Sequence, residues 1–141
     1  MSTKQPHSDN EIFFALFGYN FGRSWYARGD FYQEGSPSRV SFDFDAVWPH
    51  RDKLIGFYHT HPNWIASPSV TDLNAMEALT TAFGKDLLCL IDGTNGLKAY
   101  EVDIDGNWYN TKSVLMWQQR FAGVRHKYTE DCLYYLNEKD I

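Results

Sequence analysis

Cysteine is scarce in this sequence: Cys89 and Cys132 are the only two. The N-terminal stretch MSTKQPHSDNE holds no apolar segment, so no secretion signal is expected. Two thiols in such a chain read as reduced cysteines of a cytoplasmic protein. No apolar run approaches the length of a membrane span, so a membrane partner is not expected. Basic residues are outnumbered, 13 against 18 acidic, and they form no patch. Nucleic-acid binding needs such a patch, which removes DNA and RNA from the expected partners. Internal repeats and low-complexity segments are absent. So is the zincin motif His-Glu-x-x-His. The His-x-Glu and Cys-x-x-Cys pair of a zinc deaminase is absent too.

Apolar residues make up 43% of the chain and aromatics 17%, which excludes a disordered protein. At 141 residues, one domain with a real core is expected. Residues 1–10 read as a flexible, polar N-terminus, with His7 a solvated surface residue, and residues 11–141 as the domain.

The stretch from Gly56 to Asp72, GFYHTHPNWIASPSVTD, carries the chemistry. If Leu54–Tyr58 is a strand running into His59, then His59 and His61 share one face, because side chains at i and i+2 point the same way. Asp72 returns after a loop, in the first turn of a predicted helix. Two imidazoles and a carboxylate form a metal-ligand set. Three protein ligands leave a fourth tetrahedral position for water, the mark of a catalytic site.

The pattern His59-Thr-His61-Pro62, seven residues on to Ser69, then Asp72, resembles the signature of the JAMM (MPN+) zinc metalloproteases. That family also carries a glutamate opening a strand of the form Glu-x-x-Gly-x-Leu-x-Gly. Glu11, Leu16 and Gly18 match it, and Phe14 stands where glycine is usual. Other His-x-His families fit less well. A cupin wants Glu where Ile65 and Ala66 stand, and a metallo-β-lactamase wants Asp and His at Asn63 and Trp64. An amidohydrolase barrel needs about 250 residues.

The resemblance implies that His59, His61 and Asp72 hold Zn²⁺, that Glu11 is the general base and acid, and that Ser69 stabilises the oxyanion. It implies a JAB/MPN-like domain of the small prokaryotic type. Its activity would be that of a deubiquitinase-like isopeptidase, cleaving after the C-terminal tail of a ubiquitin-like protein in precursor processing or deconjugation. Some prokaryotic members serve antiviral pathways built on such modifiers. The substrate partner would be the ubiquitin-like protein or its conjugate, and the oligomeric state stays open. Two alternatives remain at this level: a non-catalytic MPN module that binds partners, and a zinc amidohydrolase acting on a small or cell-wall substrate.

Along the chain, residues 11–18 read as a buried strand and Ser24–Gln33 as a second. Arg39–Val47 alternates Val40, Phe42, Phe44 and Ala46 with Ser41, Asp43 and Asp45, and reads as a half-buried strand with a solvated acidic face. Trp48–Asp52 reads as a loop, with His50 an ordinary surface residue. Trp64 and Ile65 either contact substrate or close their loop onto the core. Ser69-x-x-Asp72 is also a capping box, opening a helix to about Phe83 that Gly84 ends. Leu73, Met76, Leu79 and Phe83 fall on one side of that helix. Asp86–Ile91 is a fully apolar strand with Cys89 buried, and Asp92–Gly96 a turn. Leu97–Asp103 and Asn107–Asn110 form a hairpin about Asp105-Gly106. Ser113–Asn137 reads as helix broken near Gly123, with His126 and Cys132 as packing residues. This order predicts an α/β sandwich around a mixed, mostly antiparallel sheet, flanked by helices.

Overall fold

The computed structural model describes residues 10–21, 24–36, 42–111, 113–117 and 133–136. Residues 1–9 of the expected N-terminus, Arg39–Ser41, His126 and Cys132 lie outside them.

Among the described residues eight strands form one sheet: β1 Ile12–Phe21, β2 Ser24–Glu34, β3 Leu54–Thr60, β4 Leu87–Gly93, β5 Gly96–Val102, β6 Trp108–Asn110, β7 Ser113–Trp117 and β8 Leu133–Leu136. Their order is β6-β5-β4-β3-β1-β2-β7-β8. The pairs β3–β4 and β2–β7 are parallel and the rest antiparallel, so the sheet is mixed and mostly antiparallel as expected. The parallel β3–β4 step needs a crossover, which α2, Val70–Phe83, supplies.

Strands β3 and β4 are largely apolar because both of their faces are covered. Every residue of β3 and of β4 is buried. On one face Phe14 stacks on Tyr58 with ring centroids 4.3 Å apart, within a cluster that includes Ile12, Leu16, Leu88 and Leu90. On the other, Phe57, Cys89, Ile91 and Met76 form the core beneath α2. Gly56 allows β3 and β4 to close up: a Cβ there would lie 2.5 Å from that of Leu88.

Helix α2 has both of its ends written in the sequence. Ser69 and Asp72 complete a reciprocal capping box, and Gly84 closes the helix in the left-handed conformation at φ 68°. Its inward side is narrower than the sequence suggested. Met76 and Thr80 are buried, Leu79 and Phe83 half-buried, while Leu73 is 41% exposed.

Two expectations are corrected. The alternation ending at Val47 is not a strand there. Phe44–Val47 is one helical turn, α1, running into a 3-10 helix at Trp48–Lys53. Asp43, read as a solvated strand residue, caps that turn by accepting from the Ala46 N–H at 3.1 Å. The turn lets Phe44 pack on Trp48 and Phe83, at 5.3 and 5.2 Å between centroids. The stretch from Ser113 opens as β7, parallel to β2, and Leu133–Leu136 pairs with it as β8, where helix was expected. Among the described residues no helix is long and apolar enough to cross a membrane.

Candidate metal centre

The centre is assembled from three elements at one end of the sheet. β3 delivers His59, and the chain leaves the ladder at His61, whose N–H still bonds the Asp92 carbonyl of β4 at 2.8 Å. Pro62 has no N–H to continue the pairing. The loop then folds over the β4–β5 turn. Thr94 N–H donates to the Trp64 carbonyl at 2.8 Å, and Ala66 N–H to Asn95 Oδ1 at 2.7 Å. Gly93 permits the close approach, because a Cβ there would sit 2.3 Å from the Ala66 nitrogen. The loop ends at Ser69, which starts α2 and aims Asp72 back at the histidines.

The three side chains converge. His59 Nε2 lies 3.0 Å from Asp72 Oδ1, His61 Nε2 lies 3.1 Å from Asp72 Oδ2, and the two Nε2 atoms are 3.2 Å apart. A tetrahedral zinc site with ordinary bond lengths has ligand–ligand edges of about 3.3 Å. The donor set therefore fits a metal ion, and all three ligand atoms lie within 4.8 Å of one another. The tautomer also fits. His61 Nδ1 is 2.9 Å from the Ile65 carbonyl, which can only accept, so Nδ1 carries the hydrogen and Nε2 faces the site.

The electrostatics reflect a site built for a cation. Burial alone would raise the Asp72 carboxyl. The His59 and His61 imidazoles and the Ser69 N–H outweigh it and hold that carboxyl well below the usual range. Burial lowers His61, but its bonds to Asp72 and the Ile65 carbonyl, with the Asp72 and Glu11 charges, leave it raised. A proton between His61 and Asp72 and a metal ion would compete for one position.

Glu11 lines the same cleft, about 620 Å³ in volume, together with His59, His61, Ser69 and Asp72. Its backbone is pinned from both sides. Its N–H bonds the Ser36 carbonyl at 2.7 Å, and its carbonyl accepts from Gly35 N–H at 2.9 Å. Its neighbour Ile12 donates to Thr60 Oγ1 on β3 at 2.8 Å. Burial raises the Glu11 carboxyl, the two imidazoles pull it back, and the Asp72 charge pushes it up again, with a net rise. Ser69 Oγ accepts from Asp72 N–H at 3.0 Å, which leaves its own hydrogen free to donate.

Phe14, the departure at the glycine position, packs on Tyr58 on the far face and does not touch the site. Glu34 is exposed and engaged with Asn10 and Tyr32, and Glu101 accepts from Thr111; neither lines the cleft. Sequence reasoning missed the supports. Asp92, read as a turn residue, is wholly buried in β4, with Tyr58 Oη donating to its Oδ2 at 2.7 Å. Its Asp-Gly-Thr-Asn-Gly context is a turn signal, and no local pattern marks it as core. Trp64 and Ile65 are 48% and 43% exposed, and the Trp64 ring lies 5.3 Å from that of His61. They form a rim and do not close onto the core. Cys89 is buried and its thiol is pushed well up by that burial, which suits packing and not nucleophilic attack.

A model of prokaryotic homologs of the JAB domain matches residues 4–109. No curated protein matches the chain significantly. Among solved structures, the solution structure of protein DSY2949 from Desulfitobacterium hafniense is similar, at 22% identity and a TM-score of 0.48. It covers 82% of this chain and 84% of its own.

Proposed function

This chain belongs to the prokaryotic JAB-domain family, and from that membership and the geometry of its site we propose that it is a zinc-dependent peptidase or isopeptidase. The substrate would be the C-terminal tail of a ubiquitin-like protein, as precursor or conjugate. The observation that carries this reading is the convergence of His59, His61 and Asp72 within 4.8 Å on a cleft that Glu11 also lines.

His59, His61 and Asp72 would hold the ion. When bound, zinc supplies a Lewis acid for the scissile carbonyl and water of lowered pKa. Glu11 takes the proton of the attacking water and returns it to the leaving amine. Burial raises the Glu11 carboxyl above the ordinary glutamate value, the direction that favours a group which accepts a proton and returns it. Ser69 donates its free hydrogen to the carbonyl oxygen as charge builds there. The Asp72 N–H that Ser69 accepts, and the Ser69 N–H that Asp72 accepts at 2.9 Å, hold ligand and donor in one frame.

Two features favour a protein tail over a small amide. The cleft is also lined by Phe13, Phe42, Phe57, Met76 and Leu79, an apolar wall suited to side chains. Exposed apolar residues also stand close to the ligands in sequence: Trp64, which lines the cleft, with Ile65, Val70 at 74% and Leu73 at 41%. Exposed apolar groups gathered at a site rim mark a surface that meets another macromolecule.

The test is incubation of zinc-loaded protein with a panel of ubiquitin-like fusion proteins, with and without chelator, read by mass spectrometry. Cleavage directly after the modifier's tail, abolished by chelator and by Glu11→Gln, is expected. Full cleavage by Glu11→Gln would remove Glu11 from its role. Absence of cleavage across the panel, with zinc bound, would favour a binding module.

A further inference from the structure

Strands β1 and β3 run antiparallel and pair Phe13 with His59. Carried two residues on, that register sets Ile12 opposite Thr60 and Glu11 opposite His61. Side chains directly opposite one another share a face of the sheet. The lining of the cleft agrees: Glu11 and Phe13 of this segment stand there with His59 and His61. Ile12 and Phe14 turn instead to the core on the far face. The pairing of β1 with β3 thus aims the Glu11 side chain at the ligands.

The ladder itself stops short of Glu11, because its last pair is Phe13–His59. Beyond that pair the two chains are held by different neighbours. Glu11 is tied to the end of β2, through the Ser36 carbonyl at 2.7 Å and the Gly35 N–H at 2.9 Å. His61 is tied to β4, through the Asp92 carbonyl at 2.8 Å. Successive N–H groups of a strand point to opposite edges, so the Ile12 N–H points toward β3. It donates there to Thr60 Oγ1 at 2.8 Å, a side-chain oxygen where a regular ladder would offer a carbonyl. The bond is buried, and Thr60 is 4% exposed. A buried N–H robbed of its acceptor must find another, which moves the backbone that carries it.

We infer that the Thr60 hydroxyl is the positioning group of the general base. It bridges the end of β1 to the ligand-bearing end of β3, and so fixes the Glu11 carboxyl relative to an ion held by His59, His61 and Asp72. Its catalytic consequence rests on the peptidase reading; the place of the carboxyl does not. Burial and strand formation alone do not call for a hydroxyl here, since valine has the same branched shape and suits a strand equally well. Valine and threonine therefore separate the two roles, and serine, which keeps the hydroxyl and loses the methyl, completes the comparison.

The test compares wild type, Thr60→Val and Thr60→Ser in two measurements. In the first, the full chain carries carbon-labelled glutamate and cobalt(II) in place of zinc. The paramagnetic relaxation of the Glu11 carboxyl carbon, assigned by its loss in Glu11→Gln, then reports its distance from the ion. In Thr60→Val that relaxation should change by about twofold or more, because it follows the inverse sixth power of distance and a lost positioning contact displaces a group by about 1 Å. Thr60→Ser should restore it. In the second, zinc-loaded Thr60→Val should cleave a ubiquitin-like fusion protein with kcat lowered about 10- to 100-fold. KM and zinc affinity should hold, and Thr60→Ser should recover the rate. In the Glu11→Gln background Thr60→Val should cost nothing further, since no base remains to be positioned. An unmoved carboxyl or an unaltered kcat in Thr60→Val overturns the inference, and so does an equal loss in Thr60→Ser. Weakened zinc binding with the carboxyl unmoved would make Thr60 a support of the ligands and overturns it too. If wild type cuts nothing, the peptidase reading fails, and the cobalt measurement still decides whether Thr60 places Glu11. Thr60→Ala, which also lacks the acceptor, takes the place of Thr60→Val if that variant does not fold. In wild type the Ile12 amide should exchange slowly with solvent, and rapid exchange would overturn the bridge without any variant.

Discussion

Glu11 concentrates the conflict between function and stability. Burial beside Asp72 raises its carboxyl above the ordinary glutamate value. A carboxyl raised on folding keeps its proton to higher pH in the native state than in the unfolded chain. Its stabilising contribution is therefore present below the unfolded value and is lost as pH rises through about 4.3 toward the folded value. At neutral pH the ionised group opposes folding, by a small amount because the side chain is only half-buried. Glu11→Gln should therefore melt slightly higher than wild type at pH 7 in the metal-free form, and at the same temperature near pH 4. The same variant should lose roughly 10²- to 10⁴-fold in cleavage while keeping its zinc, as expected for removal of a general base. Glu11 was legible because it opens an apolar strand at a family spacing. His50 was not: nothing around Trp48-Pro-His-Arg-Asp signals that the ring will lie 5.5 Å from Phe31.

Elements with short-range punctuation were readable, and those defined by distant partners were not. Helix α2 declared both of its ends through Ser69, Asp72 and Gly84, and the β5–β6 hairpin declared itself through Asp105-Gly106. By contrast, Val114, Leu115 and Trp117 suit a helix period as well as a strand. The parallel pairing of β7 with β2, which decides between them, is set about ninety residues away, Ser24 opposite Ser113. The Phe44–Val47 turn likewise depends on Phe83 and Trp48 as packing partners.

Two tests belong to elements. Ser69→Ala removes the cap of α2 and should cost about 1 kcal/mol of stability by denaturant unfolding. Ser69→Thr should restore most of it. Gly93→Ala would drive a methyl into the Ala66 nitrogen and lift the loop off β4. His61 then loses the Ile65 carbonyl that orients its ring. Zinc affinity by competition with a chelating dye should fall about 10- to 100-fold, as for loss of a group that orients a ligand. Unchanged affinity would mean the loop does not set that ring.

The described residues form one mixed sheet in which β3 and β4 are buried on both faces, with its chemistry gathered where β3, the β4–β5 turn and the start of α2 meet. The sequence carried the composition of that meeting point, because the ligands lie within thirteen positions of chain. It did not carry the bridge from Ile12 to Thr60, which needs β1 and β3 side by side. The claim on which everything else rests is that two imidazoles and one carboxylate hold a single reactive ion. X-ray absorption at the zinc edge, on protein loaded with one equivalent, tests it most directly. One tightly bound zinc with two nitrogen and one or two oxygen neighbours, lost in His59→Ala and in Asp72→Ala but unchanged in Glu11→Gln, is the expected result. A spectrum of freely hydrated zinc, or one unaltered by His59→Ala and Asp72→Ala, would contradict the account.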